Sequence, residues 1–225
     1  MFIGHFGVAF GLKRAAPEVR LGTAVAAAGF LDVVWPLLAA TGVETVRIDP
    51  GNTPVTPLDF VSYPYSHSLA MTLVWAALFA GVYRLIGGSM RAALWLGAAV
   101  ASHWLLDLIS HRPDLPLVPG MDVRVGFGLW YSVVGTLMVE GAIFFAGVFL
   151  YVSTTRARDR IGSWGWWGLV VLLVAAYLAS LFGPPPPSVN AIVIAGLLGT
   201  ALTVAWAYWA DAHRDVVAWR ERKLD

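Results

Sequence analysis

The length of its uncharged apolar runs constrains this chain most. From Gly162 to Ala210 there is no Asp, Glu, Lys, Arg or His, and from Val133 to Thr155 the only charge is Glu140. Runs like these match or exceed the ~20 residues that a helix needs to cross a bilayer core. Charged residues make up 13% of the chain and mean hydropathy is +0.70, whereas soluble domains carry about one quarter charged residues. The expected fold class is all-α: a polytopic integral membrane helical bundle of about six transmembrane helices plus an N-terminal re-entrant half-helix. Residues 1–225 read as a single membrane domain, with 1–150 a metal-site core, 160–212 two scaffold helices and 213–225 a cytoplasmic tail.

The expected spans are 20–40, 66–87, 89–111, 129–152, 163–182 and 189–210. Residues 2–12 are apolar but too short to cross. The polar connections 41–65 and 112–128 and the Pro184–Pro187 turn fall on one side. Of the 15 Lys and Arg residues, all but Arg47, Arg112 and Arg124 fall on the other, which the positive-inside rule makes cytoplasmic, together with the C-terminus. Trp95, Trp164, Trp166, Trp167 and Trp209 sit near the cytoplasmic ends, as an interfacial belt does. No cationic segment precedes the first apolar run, so no cleavable signal peptide is expected. The net charge of +1 argues for no nucleic-acid partner. The chain has no Cys, so a bound metal needs nitrogen and oxygen ligands.

Chemistry collects in Ser102-His-Trp-Leu-Leu-Asp-Leu-Ile-Ser-His-Arg-Pro-Asp114. His103, Asp107 and His111 stand four residues apart and therefore share one helix face. Ionisable groups inside a membrane are costly and usually functional. Counting ~1.5 Å per residue from the basic anchors puts Asp32 and His103 at ~18 Å, Asp107 and Glu140 at ~24 Å, His67 at ~26 Å and His111 at ~30 Å. His5 reaches ~12 Å if the first helix is a half-span. Separate segments thus deliver polar groups to one band toward the outer half of the bilayer.

Each of these residues also has a plainer reading. His103 and Asp107 could be a helix–helix hydrogen bond. His111, just before Arg112-Pro113, could cap a helix C-terminus. Asp32 has no cation in its own span and needs a partner. Ser66 could be an N-cap with His67 at the surface. The first helix, with His5, could lie flat at the interface, although Gly4, Gly7 and Gly11 suit close helix packing. Glu140 shares a stripe with Ser132 and Thr136, and could ligate metal, act as a base or satisfy a hydroxyl. Asp59 reads as a turn residue and His213 as part of the tail. The depth match favours a divalent metal at His5, Asp32, His67, His103 and Asp107. Zinc is the first choice, with manganese or iron open.

His5 with Gly7, Asp32 at the end of the first span, Ser66-His67-Ser68 opening the next, and His103 with Asp107 recur together. In these residues, over roughly 1–150, the chain resembles the membrane-bound metal-dependent hydrolases, a family that includes a LexA-regulated bacterial inner-membrane protein. It departs from that pattern at Leu31 and Val34, where Pro and a second Asp are usual, and at Ser62-Tyr63-Pro64-Tyr65 before Ser66. A second metal would need Glu140 or Asp59 to supply the missing carboxylate. The resemblance implies an inner-membrane hydrolase. The site's depth adds a lipid-like or amphiphilic ester or phosphoester as substrate, with Glu140 or His111 as the catalytic proton shuttle. The expected partners are membrane lipid and a small-molecule or lipid substrate. A non-catalytic metal-stabilised membrane protein, an ion or small-molecule transporter and a haem carrier using His67 and His103 are the rivals.

Overall fold

The computed structural model describes residues 1–217; Arg220, Arg222 and Lys223 of the expected tail lie outside the described residues. The helices are α1 (Ile3–Ala15), α2 (Leu21–Ala28), α3 (Leu31–Ala40), α4 (Pro64–His67), α5 (Leu69–Leu85), α6 (Met90–Ser110), α7 (Val133–Thr154), α8 (Arg160–Phe182) and α9 (Val189–Ala212). Three short antiparallel pairs lie outside them: β1 (Thr45–Ile48) with β2 (Leu58–Ser62), β3 (Leu115–Pro116) with β4 (Arg124–Val125), and β5 (Thr155–Ala157) with β6 (Arg214–Val216). By length and composition this is a helical membrane bundle, because α6, α7, α8 and α9 are each long and apolar enough to span.

Of the six expected spans, four are single helices long and apolar enough to cross. α2 and α3 are bent by 53° at their break and make a fifth span only if taken together. α5 has 17 residues, because its first expected turn is spent on α4 and on the extended backbone of Ser68. The long helices start where sequence chemistry places caps. Ser68, Ser89, Ser132, Asp159 and Ser188 each accept a hydrogen bond from the backbone N–H three residues on, which satisfies a donor that has no helical partner.

α1 does not lie flat at a surface; it is buried against α7, α2 and α6. Glycine makes that possible. A Cβ at Gly7 would lie 2.5 Å from the Ile143 carbonyl, and one at Gly147 would lie 2.1 Å from the Gly7 carbonyl. The two backbones therefore touch directly, a packing mode that membrane helices use because lipid offers no hydrophobic drive for association. Below this contact Phe10 meets Trp166 edge-on at 4.8 Å and Phe144 at 5.7 Å, in a core shared with Leu31, Leu96 and Tyr151.

At one end of the bundle the connections 41–63 and 111–132 fold together around Trp35, Val46, Tyr63, Trp104 and Leu115. Arg112 ties them, donating to Asp59, Asn52 and Asp114. Asp59 is thus an ion-pair partner rather than a turn residue. At the opposite end β5 and β6 join the start of α8 to the end of α9.

Candidate metal centre

On α6 the i, i+4 spacing puts His103 and Asp107 on the buried face, with His103 Nε2 3.2 Å from Asp107 Oδ2. The break after Gly29 starts α3 at Leu31 and turns Asp32 toward them, with Oδ1 3.6 Å from His103 Nε2. α4 delivers His67, whose Nε2 is 3.7 Å from Asp107 Oδ2 and 3.9 Å from Asp32 Oδ1. α1 delivers His5, whose Nε2 is 3.2 Å from Asp107 Oδ1 and whose ring stacks on His103 at 3.7 Å. All five residues expected to bind metal therefore meet in one place. They form two overlapping triads, His5–His103–Asp107 and Asp32–His67–His103.

Two of the imidazoles have a fixed tautomer. His103 Nδ1 lies 2.7 Å from the Ala28 carbonyl, which can only accept, so Nδ1 carries the proton. Ser66 Oγ donates to Glu44 Oε2 at 2.6 Å and lies 2.8 Å from His67 Nδ1. With its proton given to Glu44, Ser66 accepts from His67 Nδ1–H. In the neutral rings both Nε2 lone pairs then face the oxygens of Asp32 and Asp107, and acceptor facing acceptor repels unless a cation stands between them. His103 Nε2 makes no hydrogen bond. Asp107 Oδ1, by contrast, receives the Met1 amino group, which also donates to Ser110 at 3.1 Å.

The spacing suits a small divalent ion. Tetrahedral coordination with bonds of ~2.0–2.1 Å implies ligand–ligand edges of ~3.3–3.4 Å. The four separations among His67 Nε2, His103 Nε2, Asp32 Oδ1 and Asp107 Oδ2 given above run from 3.2 to 3.9 Å. Three of these side chains are at most 6% accessible, whereas Asp32 is 48% accessible. The cluster is open at Asp32.

The two expected proton shuttles stand apart from this set. Glu140 Oε2 accepts from the backbone N–H of Phe2 at 2.7 Å and of Gly4 at 3.2 Å, so it anchors the start of the helix that carries His5. The polar stripe beneath it is used locally: Ser132 caps α7, and Thr136 donates to the Leu129 carbonyl. His111 is the C-cap of α6, and its buried ring bonds Asp114 Oδ1 through Nδ1 at 2.9 Å. Tyr63 also donates to that oxygen, and its ring lies between His111 and His67, 6.0 and 5.5 Å away. Burial works against the Asp114 carboxylate, but hydrogen bonds from His111, Arg112 and Tyr63 outweigh it and hold its pKa below the ordinary value. His213 belongs to the other end, where it bonds Asp159 at 2.7 Å.

Sequence reasoning missed Glu44 and Asp114. Asp114 had a weak signal, three residues after His111. Glu44 had none. It is 2% exposed and accepts from Ser66 N, Tyr65 N and Ser66 Oγ, across a loop whose path the residue pattern does not specify. Burial raises the Glu44 pKa, and these three hydrogen bonds oppose the rise.

Comparison with known proteins gives no identification: no protein-family model matches the chain, and neither a curated protein nor a solved structure does.

Proposed function

We propose that this chain is a membrane-embedded metal-dependent hydrolase that cleaves an ester or phosphoester of a lipid-like or amphiphilic substrate. In this reading it resembles the membrane-bound metal-dependent hydrolases and sits in a bacterial inner membrane. It has six spans plus the half-span α1, its C-terminus is cytoplasmic, and its centre lies toward the outer half. The observation that supports it most is the pair of tautomer-fixed Nε2 lone pairs, on His67 and His103, aimed at the carboxylates of Asp32 and Asp107.

Asp32, His67, His103 and Asp107 would hold the ion, zinc by first choice, with His5 on the second oxygen of Asp107. The ion, when bound, supplies the Lewis acidity that acidifies water and polarises a carbonyl or phosphoryl oxygen. The protein's own groups do the rest. Asp32, the accessible member, marks where a substrate head group approaches. Glu140 holds α1, and through it His5, in place. His111, oriented by Asp114, handles the proton at the outer mouth.

One observation favours a second reading. Four protein donors lie within 3.2–3.9 Å of their neighbours in the cluster, and metal sites with four protein ligands are usually structural, which suits a non-catalytic metal-stabilised membrane protein. A transporter is less well supported. Along α1 and α6 the residues one to two turns beyond His5 and His103 include Ala9, Phe10, Val100 and Leu96, all in the apolar core.

The test is metal content and turnover of the purified wild type, His103→Ala and Asp32→Ala. The hydrolase reading expects about one ion in the wild type, its loss in His103→Ala, and metal-dependent turnover within a panel of lipid and phosphoester substrates. A metal-loaded wild type with no turnover across that panel selects the structural reading. A wild type without metal overturns both.

A further inference from the structure

Glu44 lies outside every motif of the sequence, yet it is among the most deeply buried carboxylates of the described residues. It stands just before β1 in the outer connection. One oxygen takes the N–H groups of Tyr65 and Ser66, each at 2.8 Å, and the other takes the Ser66 hydroxyl at 2.6 Å. This arrangement leaves Ser66 Oγ with lone pairs and no proton to offer. Its other neighbour is His67 Nδ1, 2.8 Å away. A hydroxyl donates a single proton, so committing it to a carboxylate makes the oxygen an obligate acceptor toward the imidazole.

We infer that Glu44, acting through Ser66, is a positioning residue for the metal centre. It sets His67 in the Nδ1–H tautomer and so presents the Nε2 lone pair to the ion. The inference rests on the metal reading above, but its tautomer component holds for the metal-free protein as well. Metal-bound histidines depend on such partners, because the group on the far nitrogen fixes both ring orientation and proton position. His103 has a backbone carbonyl in this role, which mutation cannot remove. His67 has a side-chain relay, which mutation can. Glu44 also adjoins the β1–β2 hairpin, so movement of that hairpin would reach the centre through His67.

The experiment uses the full chain in detergent and two readouts. Imidazole 15N chemical shifts of His67 report the tautomer without metal, and competition titration with zinc reports affinity. Ser66→Ala removes the acceptor. Glu44→Gln keeps an oxygen for the two backbone N–H groups but turns an N–H₂ group toward Ser66, so that the hydroxyl is free to donate to His67. Both variants are expected to shift His67 away from the Nδ1–H form and to weaken zinc binding by roughly 10–100-fold. Ser68→Ala serves as the control. It removes the cap of α5, a side chain whose hydrogen bond runs to Met71 N and not to His67, and should change neither readout. An unchanged His67 tautomer in Ser66→Ala overturns the inference, as does wild-type zinc affinity in both Ser66→Ala and Glu44→Gln. If the wild type binds no zinc, the metal reading fails, and the 15N shifts alone decide the tautomer. If Glu44→Gln does not fold, Ser66→Ala against Ser68→Ala still decides.

Discussion

α1 carries a buried charged cluster at each end, and the two are built on opposite principles. At its C-terminal end Lys13 Nζ donates to Asp211 Oδ2 and to the Val19 carbonyl, both at 3.0 Å. Asp211 also accepts from Leu21 N at 3.0 Å and from the Tyr151 hydroxyl at 2.8 Å. Every acceptor there meets a donor, and the cation meets its anion. At the N-terminal end the Met1 amino group meets Asp107 Oδ1, but the neutral-ring lone pairs of His67 and His103 face Asp32 Oδ1 and Asp107 Oδ2. The first cluster is complete as folded and pins α1 to α7 and α9. The second has a place for a cation among its acceptors. Buried charge alone therefore does not distinguish a brace from a binding site; donor–acceptor matching does.

That contrast can be broken or sharpened by experiment. The largest effect should come from Asp211→Ala, which strands the Lys13 ammonium in the bundle. Removing one partner of a buried pair costs about 3–5 kcal/mol. Thermal unfolding in detergent should show it, and adding metal or chelator should not alter it. The double variant Lys13→Met, Asp211→Leu should recover most of that loss, because an apolar replacement of a buried pair is often neutral. A double variant as unstable as Asp211→Ala would mean that the cluster does more than cancel charge.

Metal should act only at the other end. Saturating zinc at about 100 times its dissociation constant should stabilise the wild type by about 2.7 kcal/mol, and chelation should reverse this. His103→Ala should respond to neither. Equal stabilisation of both proteins would place the ion elsewhere. A smaller loss, about 1.5 kcal/mol, is expected for Tyr151→Phe, which removes a hydrogen bond to a charged acceptor. It should appear in unfolding but not in metal affinity.

The smallest effect concerns Asp114, beside the centre but matched like the first cluster. Its folded pKa lies below the ordinary 3.8, so its contribution to stability is present above that value and disappears as pH falls through the folded pKa. The stability gap between wild type and Asp114→Asn should be constant near neutral pH and close in acid. A gap that widens below pH ~4 would contradict this sign.

The residue pattern is a sound guide where the interaction is local. His103 and Asp107 share a face because helical periodicity requires it. Glu140 shows the limit. Helical rise gives its height along α7, but its partners are the amides of Phe2 and Gly4, and nothing in its own helix names them. They meet it because Gly7 and Gly147 let α1 and α7 touch backbone to backbone. Ser66 stands where a capping serine is expected, yet Ser68 caps the helix and Ser66 bridges Glu44 to His67. The bend between α2 and α3 and the shortness of α5 were likewise hidden, since hydropathy measures how apolar a segment is and not where its axis turns.

The residue order by itself determined that this is a bundle of apolar helices, and that a few ligand-type side chains stand inside otherwise apolar segments. Both are legible because the energetic cost of placing backbone and charge in hydrocarbon is paid residue by residue. The tertiary structure alone decided which nitrogen of His67 and of His103 carries the proton, which acids brace and which face lone pairs, and that Asp32 is the open side. Those properties depend on hydrogen-bond partners brought from distant segments, and directional bonds across a fold have no periodicity for a sequence to display.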